Sequence, residues 1–138
     1  ECAIHNVEQV IKECQSDIVL VDHADDVAPV WNDPAVTRHS LRAVYTQMKR
    51  LAVRYNVPIW TGSQTPESTW QMPSASISDL SEAKVGKASG AALVLVLTGG
   101  PPQQVSSDII YCTFAKARRF VSRRTVAFRV NYQTGQMW

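Results

Sequence analysis

Apolar residues along the chain follow two spacings, one typical of helices and one typical of buried strands. Val7, Val10, Ile11 and Cys14 recur at i, i+3, i+4 and i+7, which predicts a short helix over residues 5–15. A second apolar stripe with the same period runs from Leu41 to Tyr55. The capping sequence 32–34 (Asn-Asp-Pro) precedes this stripe, and Asn56 and Pro58 follow it, so the second helix is long and has clear ends.

The continuous apolar run within residues 17–22 predicts a strand that is covered on both faces, and residues 57–63 and 91–97 are predicted to form two further buried strands. A helix between the first two strands implies a right-handed parallel crossover. Residues 107–115 and 123–131 alternate instead, which predicts an antiparallel hairpin, followed by a turn at 133–135. The pattern is that of an α/β domain with a long surface loop over residues 65–90, containing one helical turn near 80–85.

Composition narrows the class of protein. The 138 residues, 45% of them apolar, fit one globular domain, and they contain neither a membrane-spanning run nor a secretory leader, so we expect a soluble intracellular protein. The three cysteines form no CxxC pair and are expected to be reduced packing residues. Eight acids and one base lie before Arg38, whereas four acids and thirteen bases lie from Arg38 onward. This asymmetry allows an acidic metal-binding end and a basic phosphate-binding end.

Two polar residues follow the first two predicted strands. In α/β sheets the chemistry lies beyond the carboxyl ends of the strands, which is where Asp22 and Gln64 fall. An aspartate after a buried strand is how nucleotide-hydrolysing sheets hold Mg²⁺, often through water. Asp25 and Asp26 are interpreted first as acidic surface, with additional ligands or a cap as alternatives.

The phosphate-binding loop G-x-x-x-x-G-K-[ST] is absent from these residues. The nearest stretch, residues 81–88, lacks the first glycine and the magnesium-binding hydroxyl, and it does not follow a strand. We therefore expect that this chain alone does not hydrolyse a nucleotide.

The order of motifs resembles the C-terminal part of the ATPase domain of DnaB-family replicative helicases, including their phage relatives. The resemblance covers nearly the whole chain and rests on four segments and the helix and strand between them: Ile18–Asp22, Tyr55–Gln64, Ser78–Leu80 and Lys116–Arg118. It implies a RecA-like fold of the P-loop NTPase type, with a mostly parallel sheet, flanking helices and a C-terminal antiparallel hairpin. Residues 1–138 would form part of one such domain, and the phosphate loop would precede them.

The resemblance also implies roles for individual residues. Asp22 corresponds to the Walker B aspartate and Gln64 to the glutamine that senses the γ-phosphate. Lys116 and Arg118 correspond to a finger that reaches the nucleotide of a neighbouring subunit, and Arg119 takes this place if the register differs by one. An arginine supplied in trans contributes roughly 10³ to 10⁵ in rate. Lys116 and Arg118 alternate with alanines, so on an extended arm both face the same side.

The loop over residues 76–90 corresponds to the family's channel loop, which grips single-stranded DNA. Its candidate DNA-binding residues are Ser81, Glu82, Lys84, Gly86 and Lys87. Lysines and backbone amides suit phosphate contacts that ignore base sequence and weaken steeply with salt. Ser81 stands where the family usually has an arginine.

The family implies an intact parent that uses ATP and Mg²⁺, binds single-stranded DNA and assembles into a hexameric ring. A primase or a loader is an implied partner, and the cytoplasm of a bacterium or of a phage-infected host is the implied location.

Other classes of function remain open at this point. A RecA-like recombinase or clock-type ATPase would share the strands and the aspartate. A Mg²⁺-dependent phosphodiesterase would use Asp22, Asp25, Asp26 and Asp79 without a phosphate loop. A plain nucleic-acid-binding module would show no nucleotide effect. A zinc site from Cys2, His5, Cys14 and His23 has a spacing that fits no common zinc module.

Overall fold

The computed structural model describes residues 3–28, 37–80, 88, 90–100, 108–119 and 123–138, with residues 37–40 described by their backbone alone. The chain divides into two compact units. The first contains Glu1–Gln64 and Ser89–Ala91, and the second contains Thr65–Ala88 and Ala92–Trp138.

The first unit contains a parallel pair of short strands and two helices. Helix α1 spans Ile4–Cys14, strand β1 Val19–Val21, helix α2 Thr37–Arg54 and strand β2 Ile59–Thr61, with a single 3-10 turn at Ala24–Asp26. β1 and β2 pair in parallel, with Val19 opposite Ile59 and Val21 opposite Thr61. The predicted parallel arrangement of the first two strands is therefore confirmed.

The core of the first unit lies between the two helices and one face of this strand pair. Its buried members come from α1, from the strand pair and the segments beside it, and from α2: Ile4, Val7, Ile11, Val19, Ala24, Val27, Val44, Met48, Leu51 and Val57. The predicted apolar face of α1 is confirmed at Val7 and Ile11 and wrong at Val10, which is half-exposed, and at Cys14, which is exposed. The buried stripe runs through residues 4, 7 and 11, which have helical spacing.

The strand pair is covered on one face, so the prediction that both faces are buried was wrong. Leu20 is 74% exposed and Trp60 is 47% exposed. These residues are opposite each other in the register, and successive side chains of a strand point to opposite faces. Val19, Val21 and Ile59 consequently face the core, while Leu20 and Trp60 face away from it.

Helix α2 follows the predicted course where it is described. Its predicted start at residues 32–34 lies outside the described residues. At the other end Asn56 takes a left-handed conformation with φ of 50°, and the Val57 amide donates to the Ala52 carbonyl. The predicted end of the helix is confirmed.

The second unit contains an antiparallel sheet and two short helical segments. Helix α3 spans Glu67–Trp70 and a 3-10 turn spans Ile77–Asp79. The strands are β3 (Leu93–Thr98), β4 (Ile109–Ala117), β5 (Thr125–Asn131) and β6 (Gln136–Met137), in the order β3-β4-β5-β6. The predicted hairpin is β4–β5, and the predicted turn leads into β6 with Gly135 at φ of +68°.

The expectation of a mostly parallel sheet needs correction for the described strands. They form one two-stranded parallel pair and one four-stranded antiparallel sheet, and β3 pairs with β4 in antiparallel fashion. β3 was also expected to be buried, yet Leu95 and Leu97 are exposed. A continuous apolar run indicates a strand, but it does not encode which strand pairs with it or how much of each face is covered.

The loop after β2 is more structured than predicted. Its described part contains α3 and the Ile77–Asp79 turn, and the helical turn predicted near residues 80–85 lies almost entirely outside the described residues. Thr69 is fully buried and its hydroxyl donates to the Asp79 carbonyl at 2.6 Å. Residues 81–87 lie outside the described part. Among the helices that are described, none has the length and apolar content required to cross a bilayer.

Candidate functional site

The carboxyl edge of the β1–β2 pair brings together two of the predicted site residues. Val21 is opposite Thr61, so Asp22 leaves the sheet at the same edge as Gly62, Ser63 and Gln64. Both Asp22 and Gln64 are exposed. One carboxylate and one amide therefore lie on the segments that follow the carboxyl ends of neighbouring strands.

Asp22 presents one exposed carboxylate directly after β1. In the described part of the chain no three His, Cys, Asp or Glu side chains gather into a metal site. Mg²⁺ is usually held by one or two carboxylates together with substrate phosphates. A single exposed carboxylate at a strand end suits that mode of binding.

Neither alternative metal site is assembled among the described residues of the first unit. The phosphodiesterase interpretation needs Asp22, Asp25 and Asp26 from the first unit, which do not gather into a metal site there, and Asp79 from the second unit. Asp79 instead accepts hydrogen bonds from the backbone and the hydroxyl of Ser76, each at 2.7 Å. The zinc interpretation includes Cys2, which lies outside the described residues, and its remaining three members do not gather either.

A threonine hydroxyl joins the two strand ends at the site. Thr61 donates through Oγ1 to the Val21 carbonyl at 2.8 Å, and the same oxygen accepts the Ala24 amide at 2.8 Å. Ala24 is fully buried, so its amide depends on this acceptor. The turn that carries Asp22 is thus tied to the end of β2.

Asp25 is a residue of this edge that sequence reasoning placed on the acidic surface. Its Oδ2 accepts a hydrogen bond from the Ser63 hydroxyl at 2.8 Å, and its Oδ1 accepts one from the Tyr45 hydroxyl at 3.1 Å. The Asp25 side chain is half-buried. The sequence contained a hint of this role, because Asp25 and Ser63 lie close along the chain to the predicted site residues Asp22 and Gln64. The hydrogen bond between Asp25 and Ser63 could not be read from it, since the two residues are 38 positions apart.

The hydroxyl of Tyr45 stays protonated at neutral pH. Burial raises the pKa of Tyr45 well above its usual range, and the negative charge of Asp25 raises that pKa further. Tyr45 therefore acts as a hydrogen-bond donor to Asp25 under all ordinary conditions.

The basic candidates lie in the second unit, at the end of β4. Phe114 pairs with Leu95 and Lys116 pairs with Val94, so Ala115 is an extra residue that forms a β-bulge. The Lys116 ammonium is half-buried and donates to the Ala88 carbonyl of its own chain at 2.5 Å. Arg118 and Arg119 are exposed beyond the strand, and the Arg118 amide donates to the Ala92 carbonyl.

The predicted DNA-binding residues fall in a segment that the structure does not describe. Ser81, Glu82, Lys84, Gly86 and Lys87 all lie outside the described residues. Their role stays a prediction.

One solved structure resembles this chain over almost its entire length. It is the structure of a DnaB-like replicative helicase, reported together with its interactions with primase, and it matches with a TM-score of 0.81 over 99% of this chain at 17% sequence identity. The chain therefore has a DnaB-like helicase fold.

This DnaB-like likeness covers part of the larger helicase, since the chain spans 35% of that protein's length. No protein-family model and no curated protein matches the sequence. At 17% identity the likeness establishes the fold, so the chemistry of a DnaB-like site has to be argued from the residues themselves.

Proposed function

We propose that this chain is part of the motor of an ATP-dependent replicative DNA helicase. The observation that carries the proposal is the register of β1 and β2, which places Asp22 and Gln64 on one edge of a DnaB-like fold. Asp22 and Gln64 are 42 positions apart in sequence, yet both follow the carboxyl end of a strand, which is where α/β sheets bind ligands.

Asp22 and Gln64 have complementary roles in this proposal. The Asp22 carboxylate holds Mg²⁺ through water, and the ion, when bound, neutralises charge that develops on the phosphates. The Gln64 amide bonds a phosphate oxygen or the attacking water, because an amide offers both a donor and an acceptor. Both side chains are exposed and are free of the core, as a nucleotide site requires.

Arg118 supplies positive charge to the nucleotide of an adjacent subunit. Its side chain is exposed just beyond the end of β4, and that of Lys116 is half-buried. The more exposed Arg118 is placed first as the finger, with Lys116 as a second cation and Arg119 as the alternative if the register differs by one. A guanidinium aimed at the γ-phosphate stabilises the charge of the transition state.

The remaining parts of the motor complete the proposal. ATP binding needs a phosphate loop from outside these 138 residues, so the 138-residue chain alone is expected to be inactive. In the intact protein, residues 81, 82, 84, 86 and 87 contact single-stranded DNA inside a hexameric ring. A primase or a loader is the proposed protein partner, and the cytoplasm of a bacterium or phage-infected cell the proposed location.

The proposal is tested by substitutions in the full-length protein that contains this chain. Asp22→Asn is expected to lower DNA-stimulated ATP hydrolysis by about 10²-fold, because the ion loses its charged protein contact. Asp17→Asn is the matched control, since Asp17 is an exposed aspartate just before β1, at the opposite end of the strand. Equal hydrolysis by Asp22→Asn and Asp17→Asn would rule out the proposed role.

Mixing two inactive proteins tests whether the finger acts in trans. Arg118→Ala alone is expected to lose roughly 10³-fold in hydrolysis. When Arg118→Ala and Asp22→Asn subunits assemble together, some interfaces combine an intact Asp22 with an intact Arg118, so activity should return in part. Arg129→Ala, which removes another exposed arginine from the same sheet, should leave activity unchanged. A mixture that stays inactive while forming rings would contradict action in trans.

A further inference from the structure

The Asp25 carboxylate joins three elements of the first unit at the proposed nucleotide edge. It lies in the 3-10 turn that follows Asp22, it accepts the Ser63 hydroxyl after β2, and it accepts the Tyr45 hydroxyl from α2. Hydrogen bonds to a charged acceptor are stronger than those between neutral groups. The half-buried carboxylate is therefore a junction between both catalytic turns and the long helix.

Hydrogen bonds of Thr61 fix one side of this junction, the turn between Asp22 and Asp25. Thr61 already holds the Val21 carbonyl and the Ala24 amide, so the turn carrying Asp22 is anchored to the last residue of β2. Beyond Thr61 the chain leaves the pairing with β1, and Gly62 offers no side chain to pack. The bond between Ser63 and Asp25 is the next tie along the chain, one residue before Gln64.

We propose that Asp25 is a positioning residue that acts through Ser63 to orient the Gln64 amide relative to Asp22. This inference rests on the proposed nucleotide site at that edge. Asp25 contacts neither nucleotide nor metal in this arrangement. It holds the backbone at Ser63, and Tyr45 holds Asp25 from the side of α2.

Kinetics of the full-length protein distinguish a positioning role from a purely structural one. Asp25→Asn keeps the shape of the side chain but removes its charge and replaces one of its two acceptor oxygens with a donor, so the Ser63 and Tyr45 hydroxyls can no longer both donate to oxygens of this side chain as they do to the carboxylate. We expect kcat for DNA-stimulated ATP hydrolysis to fall about tenfold while the Kd for ATP stays within about twofold. Ser63→Ala removes the same bond from the other side and should have the same effect, whereas Ser63→Thr retains a hydroxyl and should restore most of kcat.

A double-variant cycle tests the connection between the two residues. Asp25→Asn combined with Ser63→Ala should be no slower than either single variant, because both remove one bond. Asp26→Asn is the matched control: Asp26 lies in the same turn, is exposed, and should keep the wild-type kcat. Multiplicative losses in the double variant, or a wild-type kcat for Asp25→Asn, would overturn the inference.

Gln64→Ala in the same series separates failure of this inference from failure of the proposed function. If Gln64→Ala loses activity while Asp25→Asn keeps it, the positioning role is wrong and the proposed site stands. If Gln64→Ala keeps full activity, the proposed role of Gln64 is wrong, and the positioning role falls with it. A variant of Asp25 that does not fold leaves Ser63→Ala and Ser63→Thr as the deciding pair, since Ser63 is exposed.

Discussion

The two units hold their strand ends in different ways. In the first unit β1 and β2 pair over three residues each, and side chains of Thr61, Asp25 and Ser63 tie the ends together. In the second unit β4 is nine residues long and pairs on both sides, with β3 and with β5. The shape of the site around Asp22 and Gln64 therefore depends on a few side-chain hydrogen bonds. The shape of the end of β4 around Arg118 depends on the backbone hydrogen bonds of the antiparallel sheet.

This difference affects how each candidate site responds to substitution. Substitution of a residue that touches no ligand can still displace Asp22 or Gln64, because the segments that carry Asp22 and Gln64 are held by individual hydroxyl and carboxyl groups. At the end of β4 the position of Arg118 follows from the ladder and from the bulge at Ala115, which re-aims the strand next to Lys116. Polar substitutions near Arg118 should therefore have smaller structural effects.

The largest loss of stability is expected at Gly99 in the second unit, where the backbone lies close to the indole ring of Trp70. A Cβ at Gly99 would lie 2.5–2.9 Å from three indole atoms of Trp70, and the Gly99 amide donates to the Trp70 carbonyl. Gly99→Ala is therefore expected to lower the free energy of unfolding by about 2 kcal/mol, measured by chemical denaturation.

Two further variants control the Gly99 prediction. At Gly62, in the first unit, the nearest atom to a new Cβ is 3.9 Å away, so Gly62→Ala should change stability by less than about 1 kcal/mol. Adding Trp70→Ala to Gly99→Ala should cost less than the two single changes together, because the clash is gone. Additive costs would show that the close approach is not the cause.

An intermediate effect is expected for the hydroxyl that braces the first unit. Thr61→Val keeps the shape of the side chain but leaves the buried Ala24 amide without its acceptor, which should cost about 1–2 kcal/mol in unfolding free energy. Thr125→Val is the counterpart in the second unit, where the exposed hydroxyl bonds Thr113 beside an intact ladder, and it should cost less than about 0.5 kcal/mol. Equal costs would remove the contrast between the two units.

The smallest effect concerns the charged clamp between α1 and the end of α2. The Tyr55 hydroxyl donates to Glu8 at 2.5 Å, and this bond, more than the neighbouring cations Lys12 and Arg54, lowers the pKa of Glu8. A lowered carboxyl pKa stabilises the fold above the unfolded value of about 4.5, and this contribution is lost as pH falls through the folded pKa.

Thermal melting across pH 3–6 tests the Glu8 clamp. Tyr55→Phe should weaken the loss of melting temperature on acidification by a small amount, because the folded pKa of Glu8 then lies closer to the unfolded one. Tyr132→Phe, which removes an exposed hydroxyl from the second unit, should leave the profile as in the wild type. An unchanged profile in Tyr55→Phe would show that the bond does not contribute.

Much of the architecture follows from local patterns that the sequence contains. Apolar periodicity predicts α2 and its end at Asn56, and a tendency to alternate between apolar and polar residues predicts the β4–β5 hairpin, because both patterns depend on residues close in sequence. The placement of Asp22 and Gln64 on one edge also follows, since two strands joined by a helix run parallel and end together.

Other features were decided by tertiary contacts alone. The partner of β3, the exposure of Leu20 and Trp60, and the bond between Asp25 and Ser63 each depend on which segments meet after the chain folds. Hydrophobicity specifies that a residue prefers burial but not which neighbour covers it, and an aspartate in a turn has the same local sequence whether its partner is water or a serine 38 residues away. The sequence alone thus predicted α1, α2, the strands β1 to β5 and the two catalytic candidates, whereas the folded structure determined what holds those candidates in place.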